Sequence, residues 1–249
     1  MSLLPKSHTQ FHEKAYWESF FRDRDQEAFE WYGEFKDIES TLLPKLRNED
    51  RILVIGCGNS NLSACLYDKG YHSITNLDFS EVVIHEMKAK NIARGDMIWT
   101  VGDMTNLHLY NASSFDVVLD KGALDALLSD ESELCAYQAA SMFQEIGRVL
   151  TLSGQYICIT LAQDYVLRSH LAHFTPSLQA ISQTVDWKLT IEGLECSKPS
   201  PFLPFLVVAT KTEFSDSSTG NNIQLFVDNL GSKLQSPSRA TVCELIELV

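Results

Sequence analysis

Four short stretches of this sequence hold residue types suited to a polar, ring-bearing cofactor. The first is Ile52-Leu53-Val54-Ile55-Gly56-Cys57-Gly58-Asn59-Ser60, an apolar run that ends in Gly-x-Gly. Glycines there let the backbone turn tightly and approach a ligand closely. Asp78 closes the run Ile74-Thr75-Asn76-Leu77, where a carboxylate can accept from both hydroxyls of a ribose, and Phe79 follows it. Asp103 follows Gly102 and is placed to accept from an adenine amino group, with Met104 beside it to pack on the ring. Asp120 ends Phe115-Asp116-Val117-Val118-Leu119 with a further carboxylate. In an open α/β sheet such strand ends share one edge, and ligands bind there.

Dinucleotides and S-adenosylmethionine both suit a glycine loop of this kind. A dinucleotide site needs G-x-G-x-x-G, where the third glycine lets the helix pack closely on the strand. That third position is Asn61 here. Gly56-x-Gly58-x-Ser60 is nearer to the G-x-G-x-G of S-adenosylmethionine enzymes, with Ser60 in place of the last glycine. The reading is therefore an S-adenosylmethionine site contacted by Gly56, Cys57, Gly58, Asn59, Asp78, Phe79, Asp103, Met104 and Asp120. Asp120 is also the expected catalytic carboxylate, lining the substrate side of the pocket. Lys121 and Asp125 are expected on that side too, although Lys121 can instead pair with Asp120 and Asp125 can cap the next helix. Trp31 and Tyr32 are expected to form an aromatic channel, because ring faces attract an alkylammonium.

The elements that must position these residues alternate regularly from Arg51. Apolar strand patterns fall at 51–56, 73–78, 96–101, 115–120 and 155–161, with helical patterns at 60–69, 80–92, 131–150 and 164–173. That order predicts βαβ units and a parallel sheet. Ser80 before Glu81 is an N-cap signal, and Gly70 and Gly154 are expected as helix-ending glycines. Residues 184–195 alternate like a half-exposed antiparallel strand; a Pro-rich turn at 198–201 and a second apolar run, 202–210, complete a hairpin. Pro204 puts the start of that run at an edge or a bulge. Ile223 to Val227 reads as another strand, after a flexible linker over 213–222. Ahead of the sheet, Phe20, Phe21, Phe29 and Trp31 lie among charges at helical spacing. They predict one or two amphipathic helices that either cap the core or form a lid over the cofactor.

Composition narrows the class. With 249 residues, 45% of them hydrophobic and 21% charged, the chain can bury a sizeable core. A net charge of −13 argues against a nucleic-acid groove and suits a basic protein partner. No apolar run approaches the length that spans a membrane, and residues 1–14 lack a signal-peptide core. The six cysteines form no C-x-x-C pair, so reduced thiols in a cytoplasmic protein are expected. His170 and His173 lack a third ligand, so no metal is expected, and no serine sits in a nucleophile elbow.

The order of elements and the strand-end motifs are similar to those of class I, seven-strand S-adenosylmethionine-dependent methyltransferases. More narrowly, Phe29-Glu30-Trp31-Tyr32-Gly33, Val54 to Ser60 and Leu119-Asp120-Lys121-Gly122-Ala123-Leu124-Asp125-Ala126 resemble the methyltransferase-like 13 group. Leu3-Leu4-Pro5-Lys6 and Tyr16-Trp17-Glu18-Ser19-Phe20-Phe21 extend the resemblance, which covers residues 1 to about 212. It implies a Rossmann-like α/β fold, with a mostly parallel sheet, an antiparallel last strand and helices on both faces. It implies an arm over 1–50, a methyltransferase domain over 51–212, and a linker and tail over 213–249. That group methylates a lysine and the N-terminus of translation elongation factor 1-alpha, using two domains. A chain of 249 residues is expected to hold only the first, the lysine-directed one. The implied partner is elongation factor 1-alpha, with no nucleic acid, membrane or metal. A small-molecule methyltransferase and a non-catalytic protein-binding module of the same fold are the alternatives.

Overall fold

Ile52, Leu53, Val54 and Ile55 are all buried, as a strand covered by helices on both faces requires. In the computed structural model this strand, β1 (Ile52–Ile55), is flanked by β2 (Ile74–Asp78) on one side and β4 (Phe115–Lys121) on the other, both parallel to it. The structure describes residues 7–24, 28–175, 185–194, 204–213 and 223–226. β3 (Ile98–Val101), β5 (Leu150–Thr160), β6 (Val185–Gly193), β7 (Phe205–Glu213) and β8 (Ile223–Phe226) complete a sheet of order β3-β2-β1-β4-β5-β7-β6-β8. β7 runs antiparallel to both β5 and β6. β8 adds an eighth strand, parallel to β6, beyond the seven that the resemblance implies.

Alternate residues of β1 feed two cores, as the two-residue period of a strand dictates. Leu53 and Ile55 pack with α5 (Ala123–Leu127), α6 (Glu133–Val149) and α7 (Asp164–Phe174). Ile52 and Val54 pack with α1 (Lys14–Asp23), α2 (Phe35–Leu42), α3 (Leu62–Asp68) and α4 (Glu81–Lys90). The arm holds two helices, α1 and α2, but of the four aromatics expected at helical spacing only Phe20 and Phe21 are helical, on α1 and buried in the core; Phe29 and Trp31 lie in the loop between the helices. α2 is started by a capping box in which Glu34 N donates to Asp37 Oδ2 at 2.9 Å.

Register brings the strand ends together. Ile55 pairs with Leu77 on one side and Asp120 on the other, and Asp78 pairs with Val101. Gly56, Asp78, Gly102 and Lys121 therefore emerge along one edge.

Three local expectations are corrected. Gly154 does not end a helix: α6 stops at Val149, and β5 begins at Leu150, passing through Ser153 at φ +65 and on through Gly154. A Cβ on Gly154 would stand 2.9 Å from Thr151 O and 3.1 Å from Asp116 O, so close backbone approach accounts for that glycine. Pro204 sits immediately before β7, a strand in the sheet interior, so its missing N–H falls outside the strand, while its carbonyl still accepts from Leu194 N at 2.9 Å. The short helix α5, absent from the periodicity reading, is too brief to declare a 3.6-residue pattern. The start of the chain at 3–6, the turn at 198–201, most of the linker and the tail beyond 226 lie outside the described residues. Among the described residues no helix is long and apolar enough to cross a membrane.

Candidate functional site

The glycine loop needs its glycines. Gly56 and Gly58 have φ of +54 and +52, a region that costs a residue with a side chain about 1 kcal/mol or more. A Cβ on Gly56 would meet Ala123 Cβ at 2.5 Å, whereas one on Gly58 would enter the cavity, 3.7 Å from the Phe21 ring. Asp78 fixes the loop from the neighbouring strand: its Oδ2 accepts from Gly58 N at 2.9 Å and its Oδ1 from Ser80 N at 2.9 Å. Burial pushes the Asp78 carboxyl up to about 6, with the two backbone N–H groups opposing the rise.

Around this loop lies a cavity of about 490 Å³. Gly56, Cys57, Gly58, Asn59, Asp78, Phe79, Asp103 and Met104 all line it, so eight of the nine residues expected at the cofactor border one cavity. Trp31 and Lys121 line it as well. The size suits a nucleoside-bearing ligand. The residues present also suit S-adenosylmethionine: a cradle that a side chain at Gly58 would fill, a carboxylate at Asp78 for a ribose, and an exposed acid at Asp103 beside Met104.

Asp120 is the exception, and its expected role is corrected. It is fully buried and does not line the cavity. Its Oδ1 accepts from Ala123 N at 2.8 Å, and its Oδ2 from Leu124 N at 3.1 Å and from the Tyr156 hydroxyl at 2.9 Å. These bonds hold the start of α5, whose N-cap position is Gly122, a residue with no side chain to do so. Burial drives the Asp120 carboxyl up to about 7 against those bonds. Asp125 and Tyr32 also lie off the cavity wall. Asp125 does not cap the helix; it accepts from Thr160 Oγ1 at 2.5 Å and Leu161 N at 3.1 Å. The Tyr32 hydroxyl is bonded to Asp125, and its ring packs where a Cβ on Gly122 would stand, 3.0 Å away.

Lys121 does not pair with Asp120. Its Nζ meets Glu30 Oε2 at 2.9 Å and Trp31 O at 2.9 Å, with the lysine side chain 6% exposed and the glutamate 15%. Glu30 gives its remaining capacity to the glycine loop: Ser60 Oγ donates to Oε2 at 2.7 Å and Asn61 N to Oε1 at 2.7 Å. One carboxylate thus ties the arm, the loop and the end of β4 together. Its partners are separated from it by 30, 31 and 91 residues, so spacing alone could not have found it.

The arm lines the same cavity. Phe11, Trp17, Phe21, Phe29 and Trp31 line the cavity in one run of ring contacts, with Phe29 and Trp31 4.8 Å apart and Trp17 and Phe21 5.8 Å apart. Phe20 of the arm is buried in the core, and Trp31 lines the cavity. His12, Lys14 and Gln138 are among the further lining residues, and none had a sequence signal pointing to the site. His170 is a core residue, its Nδ1 on Val166 O at 3.0 Å, and among the described residues no group of three potential ligands could hold a metal ion.

Comparison with known proteins agrees with this geometry. A family model described as a methyltransferase domain matches residues 52–154. The chain is 48% identical over 176 residues to an eEF1A lysine and N-terminal methyltransferase of Bos taurus, covering 70% of this chain and 25% of the relative. The chain thus spans about a quarter of the length of that curated relative. It is 35% identical over 176 residues to EEF1A lysine methyltransferase 4 of Mus musculus, covering 68% of this chain and 69% of that protein. The solved phosphoethanolamine N-methyltransferase 1 of Haemonchus contortus shares the fold, with a TM-score of 0.56 at 13% identity over 86% of this chain and 51% of its own. With the glycine loop, Asp78, Asp103 and Met104 lining one cavity, the chain belongs to the class I S-adenosylmethionine-dependent methyltransferases, in the family that contains the eEF1A lysine methyltransferases.

Proposed function

We propose that this chain methylates a lysine of translation elongation factor 1-alpha, with S-adenosylmethionine as donor. The observation that carries the reading is the cavity itself, which the glycine loop, the strand-end acids and the aromatic side chains of the arm line together. The names of the relatives support the choice of acceptor. Bound here, S-adenosylmethionine supplies a methyl group on a sulfonium, so no acid is needed for the leaving group.

The chain's residues have three tasks. Asp78 and the loop Gly56–Asn59 hold and orient the cofactor. Phe11, Trp17 and Trp31 exclude water and present ring faces to an incoming alkylammonium. A lysine of pKa about 10.4 is almost wholly protonated at neutral pH, so its amine must shed a proton before it attacks. Desolvation against the aromatic wall lowers that pKa. Lys121 takes no part in the proton transfer, because its ammonium is held by Glu30 and the Trp31 carbonyl. The substrate-side roles read for Tyr32, Asp120 and Asp125 become supporting ones behind the wall.

We place this activity in the cytoplasm; Cys57, Cys65, Cys135 and Cys158 are free thiols, which supports a reducing compartment. The test is intact-mass analysis of recombinant elongation factor 1-alpha incubated with this chain and S-adenosylmethionine. Mass gains in steps of about 14 Da, the CH₂ added per transfer, are expected with the wild type and absent with Gly58→Arg. No gain from a wild type that binds the cofactor would overturn the choice of acceptor. Activity on metabolites would then favour a small-molecule enzyme, and binding of the factor without turnover would favour a protein-binding module.

A further inference from the structure

The outward face of a surface helix is normally polar. The first two turns of α6 depart from that rule. Leu134 is 56% exposed and Tyr137 72%, and Ala136 and Ala140 beside them are exposed as well. Leu134 and Tyr137 stand three residues apart, so their side chains are neighbours on the helix surface. An apolar pair held in water gains free energy when a partner covers it.

The patch lies beside the cavity. The chain borders the cavity at Leu127, leaves it, and borders it again at Gln138. Leu134 precedes Gln138 by four residues and so shares its helix face. At the start of this excursion Ser129 Oγ meets His12 Nδ1 at 3.1 Å, and His12 also lines the cavity.

Charge around the patch has one sign. No lysine or arginine falls between Lys121 and Arg148, whereas Asp125, Asp130, Glu131, Glu133 and Glu145 all do. Asp125 is bonded to Thr160, Asp130 to Ser132 and Glu145 to Arg148. Glu131 and Glu133 remain, both exposed and just ahead of Leu134. Two apolar anchors with carboxylates at their edge suit a partner that offers apolar side chains within a basic segment.

We propose that this face of α6 docks the protein acceptor through a basic segment beside its target lysine. Leu134 and Tyr137 pack on apolar side chains of that segment, and Glu131 and Glu133 pair with its lysine or arginine side chains. The proposal rests on the reading of this chain as a protein-lysine methyltransferase.

Methylation kinetics of the whole chain with elongation factor 1-alpha test it, alongside calorimetric binding of S-adenosylmethionine. The double variant Leu134→Ala with Tyr137→Ala is expected to raise KM for the factor by about tenfold or more, the loss of two interface anchors. Its kcat and its cofactor affinity are expected to stay within about twofold of the wild type, because docking acts on ground state and transition state alike. Glu131→Gln with Glu133→Gln is expected to raise KM by about threefold and to flatten its dependence on salt, while Ser132 still caps α6. An unchanged KM in the alanine variant, or a fall in kcat alone, would overturn the proposal. So would a wild-type dimer that the alanine variant splits without raising KM, which would give the face to a second copy of the chain. A wild type that leaves the factor unmethylated would overturn the acceptor reading, and the docking proposal with it.

Discussion

At the end of β2, Asp78, Phe79 and Ser80 lead into α4; at the end of β4, Asp120, Lys121 and Gly122 lead into α5. In each case the acid stands two residues before the helix N-cap, is buried, and accepts two backbone N–H groups. Yet Asp78 lines the cavity and Asp120 does not. The difference lies in the N-cap residue. Ser80 caps α4 with its own hydroxyl, accepting from Val83 N at 3.3 Å, which leaves Asp78 to hold the glycine loop. Gly122 has no side chain, so Asp120 turns inward to start α5 and takes the Tyr156 hydroxyl as well. A strand-end carboxylate is available to a ligand only where another residue starts the helix that follows.

Removing Asp120 should therefore cost more stability than any other change at the two turns. Asp120→Ala is expected to lower unfolding free energy by about 3 kcal/mol, since two backbone donors and a tyrosine hydroxyl lose their buried acceptor. Denaturant titration measures this. Glu30→Gln, which leaves the buried Lys121 ammonium without its carboxylate, is expected to cost about 2 kcal/mol. The same variant should speed cofactor release, because the glycine loop loses its tie to the arm; stopped-flow dissociation checks that second effect.

The pH dependence sharpens the comparison. Both carboxyls are raised, Asp78 to about 6 and Asp120 to about 7, by burial. A raised carboxyl favours the fold below its ordinary pKa and loses that contribution as pH climbs through the folded value. Stability should thus fall as pH rises from about 4 to 7, and Asp120→Asn should flatten the fall more than Asp78→Asn. Asp116, held to about 2 by Arg51, works the other way, but most of its contribution is in place by about pH 5. Denaturation midpoints at pH 5 and pH 8 report the slope. Ser80→Ala is the smallest change, about 1 kcal/mol for one lost cap. It would contradict the comparison if it cost nothing.

Most of the fold was legible because the parallel strands carry a strong signal: buried on both faces, they read as continuous apolar runs, as at Ile52–Ile55. Boundaries failed where the chain departs from one period, as at β5, which starts at Leu150 and passes through Ser153 in a left-handed conformation. Eight of the nine residues expected at the cofactor from the glycine loop and strand ends line the cavity. The ninth, Asp120, lies off the cavity, and its sequence context holds the reason: Ser80 can cap the helix after Asp78, whereas Gly122, at the equivalent position, has no side chain to cap α5. Glu30, Gln138 and His12 could not be read, because their roles come from contacts between elements far apart in sequence.

The most direct test of the account is calorimetric binding of S-adenosylmethionine to Asp78→Asn and Asp120→Asn, side by side with the wild type. Asp78→Asn is expected to weaken binding by about tenfold or more, as the loss of a charge-assisted ribose contact implies, while folded Asp120→Asn stays within about threefold of the wild type. The reverse order, with Asp120 carrying the binding and Asp78 dispensable, would contradict it.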